Sequence, residues 1–226
     1  GGDHEYFIIG LPGEVKKNIN EVYLPPLKYK INQTKIRALH KNIILVNDMF
    51  SLSFLSKIKK NIFINIGKEE KLERVNRSGV LAFGTSVGFS IILDIQNKSF
   101  LPLTFEVAHR TLSNSIEKNN YIHNKLGGYN NFTTNLEIKA WLKNSAFLID
   151  NLCKEYSLDE LYICGGTSLL INNNLIEFQN ELNKYQTIRK TNFYSCTIYI
   201  LKEDVDSFEP ITEFIFSNYK KIIFPN

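Results

Sequence analysis

Cysteine, histidine, methionine and tryptophan are all scarce in this chain of 226 residues, at three, four, one and one. Cys153, Cys164 and Cys196 are odd in number and far apart, with no short metal-ligand spacing. This argues against a disulfide framework and a zinc site and for a reducing compartment, so a cytoplasmic location and no protein-held metal are expected. No apolar run reaches the roughly 18 residues that a membrane span needs. No signal peptide opens the chain, and no membrane partner is expected. The sequons at Asn32, Asn76, Asn97 and Asn131 then read as chance matches in an Asn-rich sequence. Charge of one sign is also lacking, since 27 basic against 23 acidic residues leave a net +4. The densest basic group, Lys57, Lys59 and Lys60, has no interleaved aromatics. It reads as a solvated helix end, and no nucleic-acid partner is expected.

What is present is an ordinary globular composition, 43% hydrophobic and 22% charged. The length suits one large domain, or one domain plus part of another. Apolar runs predict strands at Tyr6–Gly10, Glu21–Leu24, Ile43–Val46, Asn61–Ile66, Gly79–Phe83, Phe89–Ile95, Ser99–Leu103, Leu161–Cys164 and Thr197–Lys202. Helices are predicted over Thr34–His40, Met49–Lys59, Leu136–Tyr156, part of Asn174–Lys184, and Pro210–Tyr219. Lys68–Ser78 reads as an exposed connection and Ser113–Asn135 as loop. Alternating strands and helices imply a layered α/β fold.

Candidate chemistry lies between Asp48 and Thr167. Asp48 follows a buried strand and opens a helix. It is either a helix cap or a carboxylate able to take a proton from a hydroxyl nucleophile, as phosphoryl transfer requires. Gly84, Thr85 and Ser86, within Phe83-Gly84-Thr85-Ser86-Val87-Gly88, join two strands. They form either a plain turn or a phosphate cradle of backbone N–H groups and hydroxyls. Lys is absent after the second glycine, so this is not the Walker pattern. Gly165, Gly166 and Thr167 link a buried strand to a helix. The flat space beside glycine and the helix N-terminus would suit a nucleotide, although a plain strand-to-helix turn reads equally well. Glu106 and His109, three residues apart after a strand, share one side of a turn. They are either a surface pair or ligands for adjacent hydroxyls of a polyol.

The order of these pieces resembles bacterial glucokinases. It runs Leu11-Pro12-Gly13-Glu14, Leu45-Val46-Asn47-Asp48-Met49-Phe50, Phe83-Gly84-Thr85-Ser86-Val87-Gly88, Glu106-Val107-Ala108-His109, then Leu161-Tyr162-Ile163-Cys164-Gly165-Gly166. The resemblance covers about Phe7 to Ser168. It implies an actin/hexokinase-like protein with a ribonuclease-H-like (actin-like ATPase) α/β fold of two lobes. Residues 1–47 would be the remnant of an incomplete small lobe and residues 48–226 the large lobe. The roles implied are Asp48 as catalytic base, Asn47, Glu106 and His109 as sugar ligands, Gly84 to Ser86 as second phosphate turn, and Gly165 to Thr167 on the nucleotide side. ATP is the implied cofactor, with Mg²⁺ carried on its phosphates. A small-molecule sugar is the implied partner, and homodimers are common in the family.

Four departures from the family pattern accompany the match. The Asp-x-Gly-Gly-Thr-type loop expected before Phe7 is missing. Leu24-Pro25-Pro26-Leu27 stands where an Asn-containing sugar loop belongs, and proline offers no donor there. Tyr121, Ile122 and His123 precede Gly127-Gly128 in place of a sugar-binding Glu. Glu209-Pro210-Ile211-Thr212-Glu213-Phe214 replaces a Gly-rich last helix. Two functions remain in view: an ATP-dependent hexose kinase, or a catalytically degenerate relative that acts as a sugar-binding or protein-interaction module.

Overall fold

The computed structural model describes residues 7–11, 21–24, 29–39, 43–66, 76–96, 99–105, 107–108, 110–112, 121–128, 132–188, 196–203 and 207–224. The chain begins with β1 (Phe7–Leu11), β2 (Glu21–Leu24), β3 (Tyr29–Asn32), α1 (Gln33–Leu39) and β4 (Ile43–Asn47). β1 and β4 pair in parallel, with Gly10 opposite Val46 and Leu11 opposite Asn47. β2 and β3 form an antiparallel pair carrying an ion pair from Lys30 to Glu21 at 3.3 Å. A small core of Leu11 and Leu45, with Ile9, Ile31, Ile36 and Ile43 against it, joins these elements to α1.

The main sheet has six strands in the order β5-β10-β9-β6-β7-β8. They are β5 (Phe63–Asn65), β6 (Arg77–Phe83), β7 (Val87–Ile95), β8 (Ser99–Phe105), β9 (Glu160–Cys164) and β10 (Thr197–Leu201). β6, β9 and β10 run parallel in the middle, while β7, β8 and β5 run antiparallel to their neighbours. Successive side chains of a strand point to opposite faces, and here both faces are covered. Leu81, Phe83, Phe89, Ile91, Leu161, Ile163, Ile198 and Ile200 face one core. Val80, Ile92, Tyr162, Cys164 and Tyr199 face the other.

The first face is covered by α3 (Ile122–Leu126), α4 (Asn135–Glu155), α5 (Leu169–Asn173) and α6 (Leu175–Ile188). α4 starts with a capping box, in which Thr134 Oγ1 accepts from Glu137 N–H and Glu137 Oε2 accepts from Thr134 N–H. Trp141, 1% exposed, packs edge-on to Phe83 and donates its indole N–H to Leu126 O at 3.0 Å, which docks α3. The second face is covered by α2 (Asp48–Leu52), a 3₁₀ turn over Ser53–Lys57, and α7 (Phe208–Asn218). Among the described residues no helix is long and apolar enough to cross a membrane.

Three local expectations are corrected. The helix predicted over Met49–Lys59 is α-helical only to Leu52 and then tightens to 3₁₀. Ser53 Oγ donates to Phe50 O and Ser56 Oγ to Ser53 O, and such back-bonding to carbonyls three residues earlier favours the tighter winding. Second, α3 and the bridge between Thr111 and Tyr121 lie within the predicted loop 113–135 or at its edge. Third, the basic group is only in part a solvated end: Lys59 and Lys60 are exposed, but Lys57 is not. The Lys57 side chain is 15% exposed, lies 3.8 Å from Asp94 and sits over the Phe100 ring, and burial pushes its pKa down. Lys60 pairs with buried Glu160. Residues 67–75 of the predicted connection lie outside the described residues, while Arg77 and Ser78 belong to β6.

Candidate active site

β4 ends on Asn47, and α2 begins at Asp48. Asn47 is the helix cap, with φ −65°, ψ 146° and its Oδ1 accepting from Met49 N–H at 2.9 Å. Asp48, expected from the sequence to be the cap, is instead the first helical residue, and its Oδ1 accepts from the same N–H at 2.8 Å. The carboxylate is therefore held at the exposed start of α2, while Met49 and Phe50 turn into the core. A carboxylate in the first turn is favoured by the unpaired N–H groups there.

The two glycine turns lie side by side because β6 and β9 are parallel neighbours, with Ala82 opposite Cys164. Both turns leave the same end of the sheet. Gly84 N–H donates to Ser86 O at 2.9 Å, which closes the β6–β7 turn on itself. Gly84 O accepts from Gly128 N–H at 2.8 Å and from Thr167 Oγ1 at 3.4 Å. One carbonyl thus ties together the β6–β7 turn, the residues after α3 and the turn after β9. Thr167 is fully buried in this tie, whereas Thr85, Gly165 and Gly166 are exposed. Gly165 has φ 95°, and a Cβ there would strike the Phe83 carbonyl. A Cβ on Gly166 would meet nothing within 4 Å, and on Gly84 only Ser86 O at 3.8 Å. The backbone at both glycines faces open space, which suits the flat approach of a ligand.

After β9 the chain forms a 3₁₀ turn over Gly166–Ser168 and then the five-residue α5. The turn does not open directly onto the long helix expected from the sequence, so little macrodipole is aimed at it. Ser168 Oγ donates to Gly165 O at 2.6 Å and stiffens the turn.

Asp48 reaches this end of the sheet through Met49. A Cβ on Gly88, two residues after Ser86, would overlap Met49 Sδ. The start of α2 therefore lies directly against the first residues of β7. Among the predicted site residues, Asn47, Asp48, Gly84, Thr85, Ser86, Gly165, Gly166 and Thr167 cluster at the C-terminal ends of β4, β6 and β9, where ligands bind in open α/β sheets. Glu106 and His109 lie outside the described residues. Between them Val107 and Ala108 are buried, and Arg110 anchors the segment to α4 through both Glu155 carboxylate oxygens at 2.9 Å.

Sequence reasoning missed Gly10, whose Cβ would come 3.1 Å from Asp48 Cα. A lone glycine inside the apolar run of β1 was the signal, since such a residue marks close approach of another backbone. A separate groove of about 470 Å³ runs between residues 57–62 and α7, floored by Ile58, Ile62, Pro210 and Phe214, and none of the predicted site residues lines it. Among the described residues no group of three or more His, Cys, Asp or Glu is arranged to hold a metal ion.

No protein-family profile matches the sequence, and no curated protein is detectably similar to it. Solved structures do match. A glucokinase from an Antarctic psychrotroph superposes with TM-score 0.64 at 13% identity, over 90% of this chain and 77% of that one. A glucokinase from Balamuthia mandrillaris in complex with glucose gives 0.65 at 12% identity, over 88% and 74%. A ROK family protein from Streptococcus pneumoniae in complex with sucrose gives 0.63 at 10% identity, over 97% and 83%. With both sheet faces covered, and with turns after β4, β6 and β9 opening at one end, the chain has the actin/hexokinase-like α/β fold of these proteins.

Proposed function

We propose that the protein is a sugar kinase of the glucokinase/ROK type, transferring a phosphoryl group from ATP to a hexose hydroxyl. The observation that carries this reading is the convergence of Asp48 with two glycine turns at one end of the sheet, linked by the Met49–Gly88 contact and the Gly84 carbonyl. Asp48 would accept the proton of the attacking hydroxyl, with Met49 N–H holding one carboxylate oxygen in place. Asn47, Glu106 and His109 would bind sugar hydroxyls. Gly84, Thr85 and Ser86 would take phosphate oxygens, and Gly165, Gly166 and Thr167 the nucleotide. The open faces of Gly84 and Gly166 fit such a group. ATP supplies the phosphoryl group and brings Mg²⁺ on its phosphates. Residues 1–47 would belong to the small lobe and residues 48–226 to the large lobe, in a cytoplasmic enzyme that acts on small molecules.

One observation favours a second reading. The Gly84 N–H and the Thr167 hydroxyl, both natural phosphate donors, are turned onto protein carbonyls. A relative that has left catalysis and kept a sugar-binding or protein-interaction role would show this.

Release of ADP from Mg-ATP, followed against a panel of hexoses and amino sugars, separates the two. The kinase reading expects sugar-dependent release. It also expects Asp48→Asn to lower kcat by about 10²- to 10⁴-fold with sugar affinity nearly unchanged. Equal turnover by the two proteins would remove Asp48 from its role. Absence of both release and calorimetric ATP binding would establish the second reading.

A further inference from the structure

α2 is five residues long, too short to hold its own geometry in water. The direction of Asp48 must therefore be set by what packs against residues 48–50. Each of the three packs against specific neighbours. Gly10 of β1 lies beneath Asp48, where a Cβ would come 3.1 Å from Asp48 Cα and 3.7 Å from its Cβ. Gly88 of β7 lies beneath Met49, where a Cβ would overlap Sδ and fall 2.9 Å from Cγ. Phe50, 1% exposed, stacks on Phe224 with ring centroids 5.3 Å apart and meets Phe54 edge-on at 5.6 Å.

We propose that Gly10, on the β1–β4 pair, and Gly88, on the six-stranded sheet, are positioning residues that clamp the first turn of α2 and so aim the Asp48 carboxylate at the glycine turns. The kinetic part rests on the reading of Asp48 as the base; the packing part does not. The two jaws differ in kind. Gly10 meets backbone, so a methyl there must push Asp48 itself aside by a few tenths of an ångström. Gly88 meets a side chain, which can be shortened. Met49 is the lever that carries a change on β7 to Asp48, one residue away.

This difference makes the clamp testable by rescue. Gly88→Ala, Gly10→Ala, Met49→Ala and the two double variants with Met49→Ala are compared in the full chain. The readouts are amide hydrogen exchange across residues 47–53 and sugar kinase kinetics. Gly88→Ala should speed exchange in that segment and lower kcat by about 10- to 100-fold with sugar KM within about twofold, the scale of a misplaced catalytic group. Adding Met49→Ala should restore slow exchange and most of kcat to Gly88→Ala but not to Gly10→Ala. Unaltered exchange in Gly88→Ala, or equal rescue of both glycine variants, overturns the clamp. If Gly88→Ala does not fold, folding of its double variant upholds the clamp and failure of both overturns it. If the unmodified protein transfers no phosphoryl group, the exchange pattern still decides the clamp, and only the kinase reading falls.

Discussion

Gly165 holds a φ of 95° at the last corner of β9, with the Phe83 carbonyl where its Cβ would be. Both conditions demand glycine, because a side chain would meet strain and a backbone clash together. Gly165→Ala should lower stability by about 1–3 kcal/mol, read as a fall in the urea midpoint at constant m. The adjacent Gly166 should accept alanine with little change, since its Cβ would stand in open space. At this scale the sequence was informative about residue type and weak about role. Gly-Gly-Thr marked a turn, but nothing in it told that the first glycine serves the backbone, the second leaves room, and the threonine is buried against Gly84 O. Asn47-Asp48 was similarly half legible. Both residues can cap a helix, and the one-residue difference between them was settled by where β4 stops pairing with β1 at Leu11.

Among the elements, α4 was the most legible, because apolar residues at helical spacing over twenty-one residues leave little choice. Its N-terminus yields a pH prediction. Backbone and side-chain hydrogen bonds from Thr134, then those from Thr133, hold the Glu137 carboxyl below its usual range. A depressed folded-state pKa means the contribution is present above the unfolded value near 4.5 and is lost as pH falls through the folded one. The stability difference between the natural protein and Glu137→Gln should therefore be flat at neutral pH and shrink in acid, in paired urea titrations across pH. A difference independent of pH would place the effect elsewhere. α2 was misjudged in length because its apolar spacing continues past Leu52. The serine hydroxyls that tighten the next turn compete locally with the α-helical ladder, which periodicity does not register.

Across the whole molecule, the end of the sheet opposite the candidate site is held by a polar cluster. Buried Glu160, at the start of β9, accepts from Tyr162 OH at 2.8 Å and pairs with Lys60, which also donates to Tyr199 OH at 3.1 Å. These contacts tie the turn before β5 to β9 and β10 beneath the second face of the sheet, and the stacked Tyr162 and Tyr199 rings 4.9 Å apart continue the join. Burial acts to lower the Lys60 pKa, but hydrogen bonds to Glu160 and Tyr199 outweigh it and raise the value. That contribution is complete below the unfolded value of 10.5 and is lost as pH rises through the higher folded one. Because Lys60 is half exposed, Glu160→Gln should cost only about 1–2 kcal/mol. Urea titrations should show that difference constant through neutral pH and narrowing in strong alkali.

By itself the sequence determined the α/β class, most strands of the main sheet, the long helix and the identity of the turn residues. These follow from local periodicity and from the backbone demands of glycine and of residues that cap helices. Strand order, the β1–β4 pair, and the juxtaposition of Asp48 with turns 36 or more residues away were decided only in three dimensions, by contacts whose partners are remote in the chain. Gly10 and Gly88 look alike in the sequence, each a glycine between two apolar residues. Only the folded chain shows that one gap admits a backbone and the other a methionine, because what fills a missing side chain is set by the packing of another element.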